Sequence, residues 1–424
     1  MLLDADALVI GAGPAGAATA IWLAGAGWRV VLVEQHAYPR QKVCGECLSA
    51  GSLSLLDALG VGAAVREIAG PELRRVGWIG ARATVVAPFP PCTAGADRYG
   101  RAIGRDRLDE LLLERARGMG VEVLQPATVR AVAGGPGRFV CTITGPRQGR
   151  HPAADEHRTE DTRRARVVID AHGSWESAPT RTDGGAVPRI VRAARRGADL
   201  FAFKASLRNT ALPPGLLAVI SFAGGYGGIV IADGGRTTLA CCIRRDRLAM
   251  CRARLPGATA GTAVGEHLGR SCSALHGLLD AAQHEGQWLS VGPIQPGIRV
   301  GVDGDIFRVG NAAGEAHPLI GEGISMALQS AGLLADHLLS EPAARLDRRR
   351  THALNRRYAA AWRDAFTTRL RFAAWYAHTA MHPVHAAAAQ LLLRRWPPLL
   401  TGAARWAGKA RRPIVRITAI ERRA

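Results

Sequence analysis

The chain has 424 residues, of which 48% are apolar and 21% are charged. This is the composition of a globular protein, and it excludes a wholly disordered chain. Lysine and arginine total 55 against 35 aspartate and glutamate residues, which gives a net charge of +20. From Glu341 onward there are 18 basic and 4 acidic residues, so most of the excess lies in the last fifth of the chain. A basic body that wraps a polynucleotide is therefore not indicated, and nucleic acid is not the expected partner.

The first residues carry no pattern of a secretion signal. They run from Asp4 and Asp6 directly into an apolar strand, without a basic segment before it. We therefore expect a cytoplasmic protein with reduced cysteines. No uninterrupted apolar run is long enough to span a bilayer. Neither the 8 cysteines nor the pair His382 and His385 shows the partner spacing of a metal site, so no metal is predicted.

A strand–turn–helix–strand unit opens the chain. An apolar strand leads into Gly11-Ala-Gly13-Pro-Ala-Gly16, and an Ala-rich helix and a second strand follow before Glu34. Gly11 permits a tight turn, Gly13 lets the backbone approach a pyrophosphate, and Gly16 allows the helix to pack closely on the strand. The helix N-terminus offers amide donors to phosphates, and Glu34 is placed to bind ribose hydroxyls. These features predict a dinucleotide site that contains Gly11, Gly13, Pro14, Ala15, Gly16 and Glu34.

Three further segments extend this pattern along the chain. The first is Arg40-Gln-Lys-Val-Cys44-Gly45-Glu46, and the second is Arg105-Asp-Arg-Leu-Asp109, which begins a helix. The third, residues 309–324, reads Val-Gly-Asn-Ala-Ala-Gly and later Pro-Leu-Ile-Gly-Glu-Gly-Ile, before an apolar helix expected over 324–339. In order and spacing, these segments resemble the FAD-dependent oxidoreductases of the geranylgeranyl reductase and aromatic hydroxylase superfamily. The resemblance covers roughly residues 7–340.

The resemblance implies FAD as the cofactor. In that family the helix after Gly321 and Gly323 approaches the flavin pyrimidine, where its N-terminal amides stabilise negative charge. Asn311 stands where the family has an Asp that binds the ribityl chain, and an amide can still donate and accept hydrogen bonds there. No second GxGxxG unit is present, so NAD(P)H is expected only as a transient electron donor. The cofactor contacts implied by the resemblance are Arg40, Cys44, Gly45, Glu46, Arg105, Gly310, Asn311, Gly321, Gly323 and Ile324.

Some segments depart from the family pattern. Residues 167–174 occupy the place of the hydroxylases' Asp-Gly motif. Either Asp170 is kept and Ala171 replaces the glycine, or Gly173 is kept and His172 replaces the aspartate. Both alignments put NADPH-linked hydroxylation of the usual kind in doubt. Tyr226 alone remains of the reductases' Tyr-x-Trp-x-Phe-Pro segment, so prenyl reduction is an analogy at the superfamily level. Cys44 and Cys47 form a C-x-x-C pair that would suit dithiol chemistry, but their position favours packing beside the flavin. The sequence identifies no catalytic acid or base.

The expected fold class is α/β: a Rossmann-like FAD-binding domain, an inserted β-sheet substrate domain and a helical C-terminal region. The FAD-binding domain is assigned residues 1–75, 101–180 and 286–340. The substrate domain is assigned residues 76–100 and 181–285, and the C-terminal region residues 341–424. In the substrate domain we expect strands over 84–86, 200–206, 217–222, 228–232 and 237–243. The polar segment 146–166 is expected to be a mobile surface hairpin or insert.

The end of the chain suggests a partner. Residues 391–412 interleave leucines, Trp396 and Trp406 with arginines, a composition typical of a helix that lies on an anionic membrane surface. A solvated helical cap over the substrate domain is an equally weighted alternative. We expect an FAD-dependent oxidoreductase that hydroxylates, or saturates a C=C bond of, an apolar or aromatic small molecule. The alternatives are a geranylgeranyl-type prenyl reductase and a flavin-bearing peripheral scaffold that binds anionic lipid or nucleic acid.

Overall fold

The structure is a computed structural model that describes residues 3–93, 95–145, 159–174, 179–182, 196–301 and 304–408. The strands of these residues are β1 (Ala5–Ile10), β2 (Val30–Val33), β3 (Cys47–Leu48), β4 (Arg75–Ile79), β5 (Thr84–Pro88), β6 (Arg101–Ala102), β7 (Glu122–Leu124), β8 (Thr128–Ala133), β9 (Phe139–Gly145), β10 (Thr159–Asp170), β11 (Thr180–Arg181), β12 (Leu200–Arg208), β13 (Leu216–Phe222), β14 (Gly225–Ile231), β15 (Thr237–Arg244), β16 (Gln283–His284), β17 (Leu289–Ile294), β18 (Gly297–Ile298), β19 (Phe307–Arg308) and β20 (Gly314–Glu315). The helices are α1 (Pro14–Gly25), α2 (Ala50–Ala58), α3 (Gly62–Ile68), α4 (Arg105–Gly118), α5 (Arg245–Arg254), α6 (Ala260–Ser271), α7 (His276–Leu279), α8 (Gly323–Leu339), α9 (Arg348–Met381), α10 (Pro383–Arg395) and α11 (Pro398–Trp406).

The first sheet has the strand order β11-β8-β9-β10-β1-β2-β7, with β19 paired to β10. Its strands β10, β1, β2 and β7 run parallel, and the register pairs Ile10 with both Asp170 and Val33. The carboxyl ends of these strands therefore lie at one edge, which is where open α/β sheets bind ligands. Strand β1 is buried on both faces, because Val9 packs with the helices and Leu8 packs with β8 and β9. This explains its uninterrupted apolar sequence.

The second sheet has the order β16-β12-β15-β14-β13-β4-β5, with β17 paired to β12. The five strands expected from the sequence correspond to β5, β12, β13, β14 and β15, with ends that differ by at most three residues. Along each strand, alternate side chains point to opposite faces. Phe203 and Cys241 pack toward α5 and α6, whereas Ala202 and Cys242 pack toward the C-terminal helices. One face thus closes the domain, and the other faces the interior of the molecule.

The C-terminal region is helical, as the sequence predicts. In the first half of α9, Tyr358, Trp362 and Phe366 are buried with residues of α8. In its second half, Ala377 and Ala380 are buried against the second sheet. Helices α10 and α11 then pack back along β4 and β5. The 34 residues of α9 therefore connect the two sheets, and α11 covers the inner face of the second.

Two of the sequence-based predictions fall partly outside the described residues. Of the expected hairpin or insert over 146–166, residues 146–158 lie outside them, and the rest belongs to β10, paired with β9 from Thr159 opposite Gly145 onward. Residues 409–424 of the basic C-terminal segment also lie outside them. Within the part of the chain that the structure describes, no helix is both long and apolar enough to cross a membrane.

Candidate functional site

The turn between β1 and α1 is built for close approach. Gly11 has φ +99°, a conformation that favours glycine. A Cβ at Gly16 would lie 1.8 Å from the carbonyl oxygen of Gly11 and 3.1 Å from the Cβ of Ala171. Only a glycine at position 16 therefore lets α1 begin directly against the ends of β1 and β10.

The N-terminus of α1 is open toward a ligand. No side chain caps it, and Pro14 at the first turn removes one amide that a helix start leaves unbonded. A Cβ at Gly13 would have only the Nη2 atom of Arg105 nearby, at 3.5 Å. Arg105 is fixed by two hydrogen bonds to Asp109, at 2.7 and 2.6 Å. Helix amides and a fixed guanidinium thus converge on one space, which suits a pyrophosphate.

Glu34 lies at the carboxyl end of β2. Its Oε2 accepts a hydrogen bond from the amide of Ala12 at 2.8 Å, and its Oε1 accepts from the amide of His36 at 3.0 Å. Arg40 Nη2 lies 3.6 Å from Oε1. Tyr38 Oη also donates a long hydrogen bond to Oε2, at 3.4 Å. Since the contacts with Tyr38 and Arg40 are both long, the carboxylate retains the capacity to bind ribose hydroxyls.

The late glycine-rich segment lies against the same edge of the first sheet. Gly310 follows β19 and packs on Ala15, while Asn311 donates a 2.8 Å hydrogen bond to Ser174 Oγ after β10. Gly323 begins α8 and is followed by the buried Ile324. No side chain caps this helix, and a Cβ at Gly323 would meet nothing within 4 Å. A second open helix N-terminus is therefore available to a ligand group that carries negative charge.

The residues present fit FAD. Gly13 and Gly323 mark two spaces that side chains leave free, each at an uncapped helix N-terminus. Residues 11–16 and Arg105 would hold the pyrophosphate, Glu34 the ribose, Asn311 the ribityl chain, and the start of α8 the flavin ring. This division follows the order of the groups along the cofactor.

The residues that would hold FAD form what we call the cofactor cradle. An apolar cavity adjoins it. Its walls come from residues 43–45, from Pro318, Leu319 and Gly321, and from the inner face of the second sheet. Tyr376 of α9 and the side chains of Leu400, Ala403, Ala404 and Ala407 in and after α11 close it. Cys44 and Cys47 both line it in the reduced form, and Cys47 donates a hydrogen bond to the carbonyl of Gly45.

The cavity contains a buried hydroxyl with a histidine partner. Tyr226 of β14 lines it, and its Oη lies 3.2 Å from Nδ1 of His317. Burial raises the pKa of Tyr226 well above its usual value, and the neighbouring Cys242 and Glu315 add to this effect, so the hydroxyl stays protonated. Burial also raises the pKa of Glu315, although Arg299 lies 3.7 Å away and opposes the shift.

His317 makes the stability of the fold depend on pH. Burial lowers its pKa from 6.5 to about 4, so the unfolded chain binds more protons than the folded protein between these values. Stability is therefore lost as the pH falls through this window. From pH 7 to pH 5, we expect the free energy of unfolding to fall by about 2 kcal/mol more in the wild type than in His317→Gln. Urea melts at both pH values measure this difference, with His276→Gln, at an exposed position, as the control. An equal loss in wild type and His317→Gln would contradict the prediction.

Glu46 lies beneath the cradle. It has φ +58°, and its carboxylate accepts hydrogen bonds from Lys204 Nζ, from Thr238 Oγ1 and, at 3.1 Å, from the amide of Arg105. Lys204 and Thr238 belong to β12 and β15 of the second sheet. Glu46 therefore joins the first residue of α4 to the second sheet, and it holds Arg105 beside the space in front of α1.

Asp170 is the last residue of β10, where it pairs with Ile10 next to Gly11, and His172 lies in the turn that follows. The Asp170 carboxylate contacts His172 Nδ1, and Arg308 Nε lies 3.9 Å from it. Burial alone would raise the pKa of Asp170, but His172 and Arg308 hold it below its usual value. The ionised carboxylate thus fixes the turn that follows β10, where Ser174 contacts Asn311.

The structure brings the predicted residues together in three places. The glycine turn, Glu34, Arg40 and Arg105 lie together at the start of α1 and the end of β2. Gly310, Asn311, Gly323 and Ile324 belong to the late glycine-rich segment beside this turn, and Cys44, Gly45 and Gly321 line the cavity. Sequence reasoning does not identify His317 or Lys204. Lys204 nevertheless leaves a signal, since it is one of three lysines in an arginine-rich chain and stands within an apolar strand.

Comparison with known proteins defines the class of this chain. Residues 4–175 match a family model described as FAD binding domain. Menaquinone reductase of Mycobacterium tuberculosis is 33% identical over 141 residues, which are 33% of this chain and 34% of that protein. The alignments with the menaquinone reductases span only about a third of the length of those proteins. The prediction that the chain contains an FAD-binding domain is confirmed over residues 4–175.

Solved structures extend the likeness to nearly the whole fold. The flavin-dependent brominase Bmp2 superposes with a TM-score of 0.68 at 17% identity, covering 96% of this chain and 93% of that one. PqsL of Pseudomonas aeruginosa, solved with 2-aminobenzoylacetate, gives 0.65 at 20% identity, with coverages of 91% and 98%. The chain therefore contains an FAD-binding domain and has the fold shared by flavin-dependent halogenases and monooxygenases, with a second sheet and a helical C-terminal region.

Proposed function

We propose that this protein is an FAD-dependent oxidoreductase that acts on an apolar or aromatic small molecule. The observation that carries the proposal is the apolar cavity, which lies between the cofactor cradle and the inner face of the second sheet. Enclosed apolar pockets with few polar groups are typical sites for small apolar ligands. The local likeness to menaquinone reductase supports reductive chemistry, and the fold likeness to PqsL supports an aromatic substrate.

The chain's own residues have separable roles in this function. FAD, when bound, supplies the two-electron chemistry. The amides at the start of α1 and the Arg105 guanidinium bind its pyrophosphate, and the start of α8 stabilises negative charge. Tyr376 and α11 exclude water from the substrate. NAD(P)H would deliver electrons transiently.

Tyr226 is the residue we propose as proton donor. Saturation of a C=C bond adds a hydride to one carbon and a proton to the other, so it needs an acid in the cavity. Tyr226 Oη holds a proton, and His317, which is neutral at pH 7, positions it. Because burial makes this hydroxyl a weak acid, its proton would move only as hydride addition builds negative charge on the neighbouring carbon of the substrate. A protonated hydroxyl in the cavity favours reduction over hydroxylation. Hydroxylation is the second candidate, because the fold is similar to that of PqsL, which is described as a probable FAD-dependent monooxygenase. The lining is also apolar enough to suit a prenyl chain, and reduction of the kind that geranylgeranyl reductases carry out is the alternative.

Tyr226→Phe is expected to lower turnover about 100-fold at saturating substrate, since a positioned general acid contributes a factor of that order. The ring and its packing are kept, so FAD content and the melting temperature should change little. Tyr99→Phe, at a partly buried position outside the cavity lining, is the matched control. If Tyr226→Phe turns over at the wild-type rate, the proton comes from elsewhere.

Product analysis tests the reaction itself. The FAD-loaded protein is incubated with a menaquinone as the probe, under nitrogen with dithionite and under oxygen with NADPH. A product that keeps two additional hydrogen atoms after the quinone ring is reoxidised in air, and that forms only when the protein is present, supports reduction of a C=C bond. A product with one additional oxygen atom, formed only under oxygen, supports hydroxylation instead. No product under either condition, together with a flavin that NADPH does not reduce, favours the scaffold alternative.

A further inference from the structure

The helices that close the cavity carry an exposed apolar face. Of the twelve large apolar side chains that are exposed among the described residues, seven lie between Trp375 and Trp406. They include the exposed tryptophans Trp375, Trp396 and Trp406, at 62%, 52% and 60% exposure. Val384, Leu391, Leu392 and Leu399 complete the set, which we call the outer face. A concentration of this kind marks an interaction surface, whereas single exposed apolar side chains do not.

Helix α11 is apolar on both of its sides. Leu400, Ala403 and Ala404 line the cavity, while Leu399 and Trp406 point outward. Soluble helices usually pair an apolar face with a polar one. This helix therefore separates the apolar cavity from a second apolar environment.

An aromatic series links the outer face to the cavity. Trp406 and Trp375 lie 6.5 and 5.9 Å from Phe372, measured between ring centroids. Phe372 stacks on Tyr376 at 5.9 Å, and Tyr376 lines the cavity. Apolar side chains are thus continuous from the surface to the cavity wall.

The charge around the outer face has one sign. Residues 365–408 contain no Asp or Glu. Arg394, Arg395 and Arg405 are exposed beside the outer tryptophans, and the Arg395 guanidinium lies 5.4 Å from the centre of the Trp396 ring. Tryptophan prefers the headgroup level of a bilayer, and basic side chains attract anionic lipids.

We propose that the outer face of α10 and α11 docks on an anionic lipid bilayer. The apolar side chains reach the boundary of the acyl chains, and the arginines contact lipid phosphates. The benefit of docking rests on the proposed function, because an apolar substrate dissolved in lipid would lie next to the wall of its cavity. Docking itself is measured without turnover, so its failure and the failure of the proposed function are distinguishable.

Vesicle flotation of the full-length protein tests the proposal. The wild type should float with vesicles of phosphatidylcholine and phosphatidylglycerol, and much less with phosphatidylcholine alone or in high salt. Arg394→Glu/Arg395→Glu should weaken partitioning by about 30-fold or more, from the loss of two attractive charges alone. The matched control is Arg252→Glu/Arg254→Glu, which makes the same charge change on exposed residues of α5, on the other side of the second sheet. Equal flotation of the two variants would overturn the proposal.

Quenching by brominated lipids supplies a second readout. Brominated acyl chains should quench wild-type tryptophan fluorescence, and Trp375→Phe/Trp396→Phe/Trp406→Phe should lose most of the quenching while its melting temperature stays unchanged. Unchanged quenching would place other tryptophans at the membrane and overturn the assignment. If the wild type does not float but forms dimers that Leu391→Gln/Trp396→Gln dissociates, the outer face binds a second copy of the chain and the membrane proposal is wrong.

Discussion

Gly13→Val is expected to produce a folded, colourless protein. Gly13 caps α1 in extended geometry, with φ −66° and ψ 179°, which valine adopts without strain. A Cβ there meets only Arg105 Nη2 at 3.5 Å, so the backbone and its neighbours tolerate it. The methyl groups would instead fill the space that the pyrophosphate needs. We expect FAD affinity to fall at least about 100-fold, which corresponds to roughly 2.7 kcal/mol.

The flavin absorbance of the purified protein and titration with added FAD measure this loss. Gly118→Val is the matched control, because it adds the same side chain at an exposed helical position with nothing within 4 Å. Gly16→Ala provides a contrast, since its Cβ would lie 1.8 Å from Gly11 O and should disrupt the turn itself. Retention of stoichiometric FAD by Gly13→Val would show that the cofactor does not pass over this residue.

Lys204→Met is expected to cause the largest loss of stability. Lys204 and Glu46 form an ion pair whose side chains are 1% and 0% exposed. Removal of one partner leaves a buried, uncompensated charge, which costs about 3–5 kcal/mol. The same change should make the position of Arg105 less fixed, because Glu46 also accepts a hydrogen bond from the backbone amide of Arg105. Chemical denaturation monitored by circular dichroism measures the free energy of unfolding.

Two comparisons isolate the cause of this loss. Arg208 lies in the same strand as Lys204, and Arg208→Met removes its ion pair with Glu285. Because the Arg208 side chain is 42% exposed, this substitution should change the free energy of unfolding by no more than about 0.5 kcal/mol. Glu46→Gln/Lys204→Met should be more stable than the sum of the two single changes by at least about 1 kcal/mol, because it removes both charges. Strictly additive losses would mean that the two side chains are not coupled.

Much of the cofactor cradle is predictable from the sequence because its signals are local. The glycines at positions 11, 13 and 16 act within one turn, and Glu34 follows the next strand. The parallel register then brings Gly11, Glu34 and Asp170 to one edge. Strand alternation likewise predicts the second sheet, since side chains such as Phe203 and Ala202 must point to opposite faces. Glu46 has no comparable local signal, because its partners Lys204 and Thr238 lie 158 and 192 residues away.

The sequence by itself determined that this chain contains a strand–turn–helix unit of the dinucleotide-binding type and a basic C-terminal segment, because backbone conformation and charge are properties of neighbouring residues. Only the tertiary structure decided that Tyr226 meets His317, which lies 91 residues further along the chain, and that α11 closes an apolar cavity with one face while it exposes the other. Burial decides these features: it keeps Tyr226 protonated and His317 neutral, and it depends on which distant segments pack around each side chain.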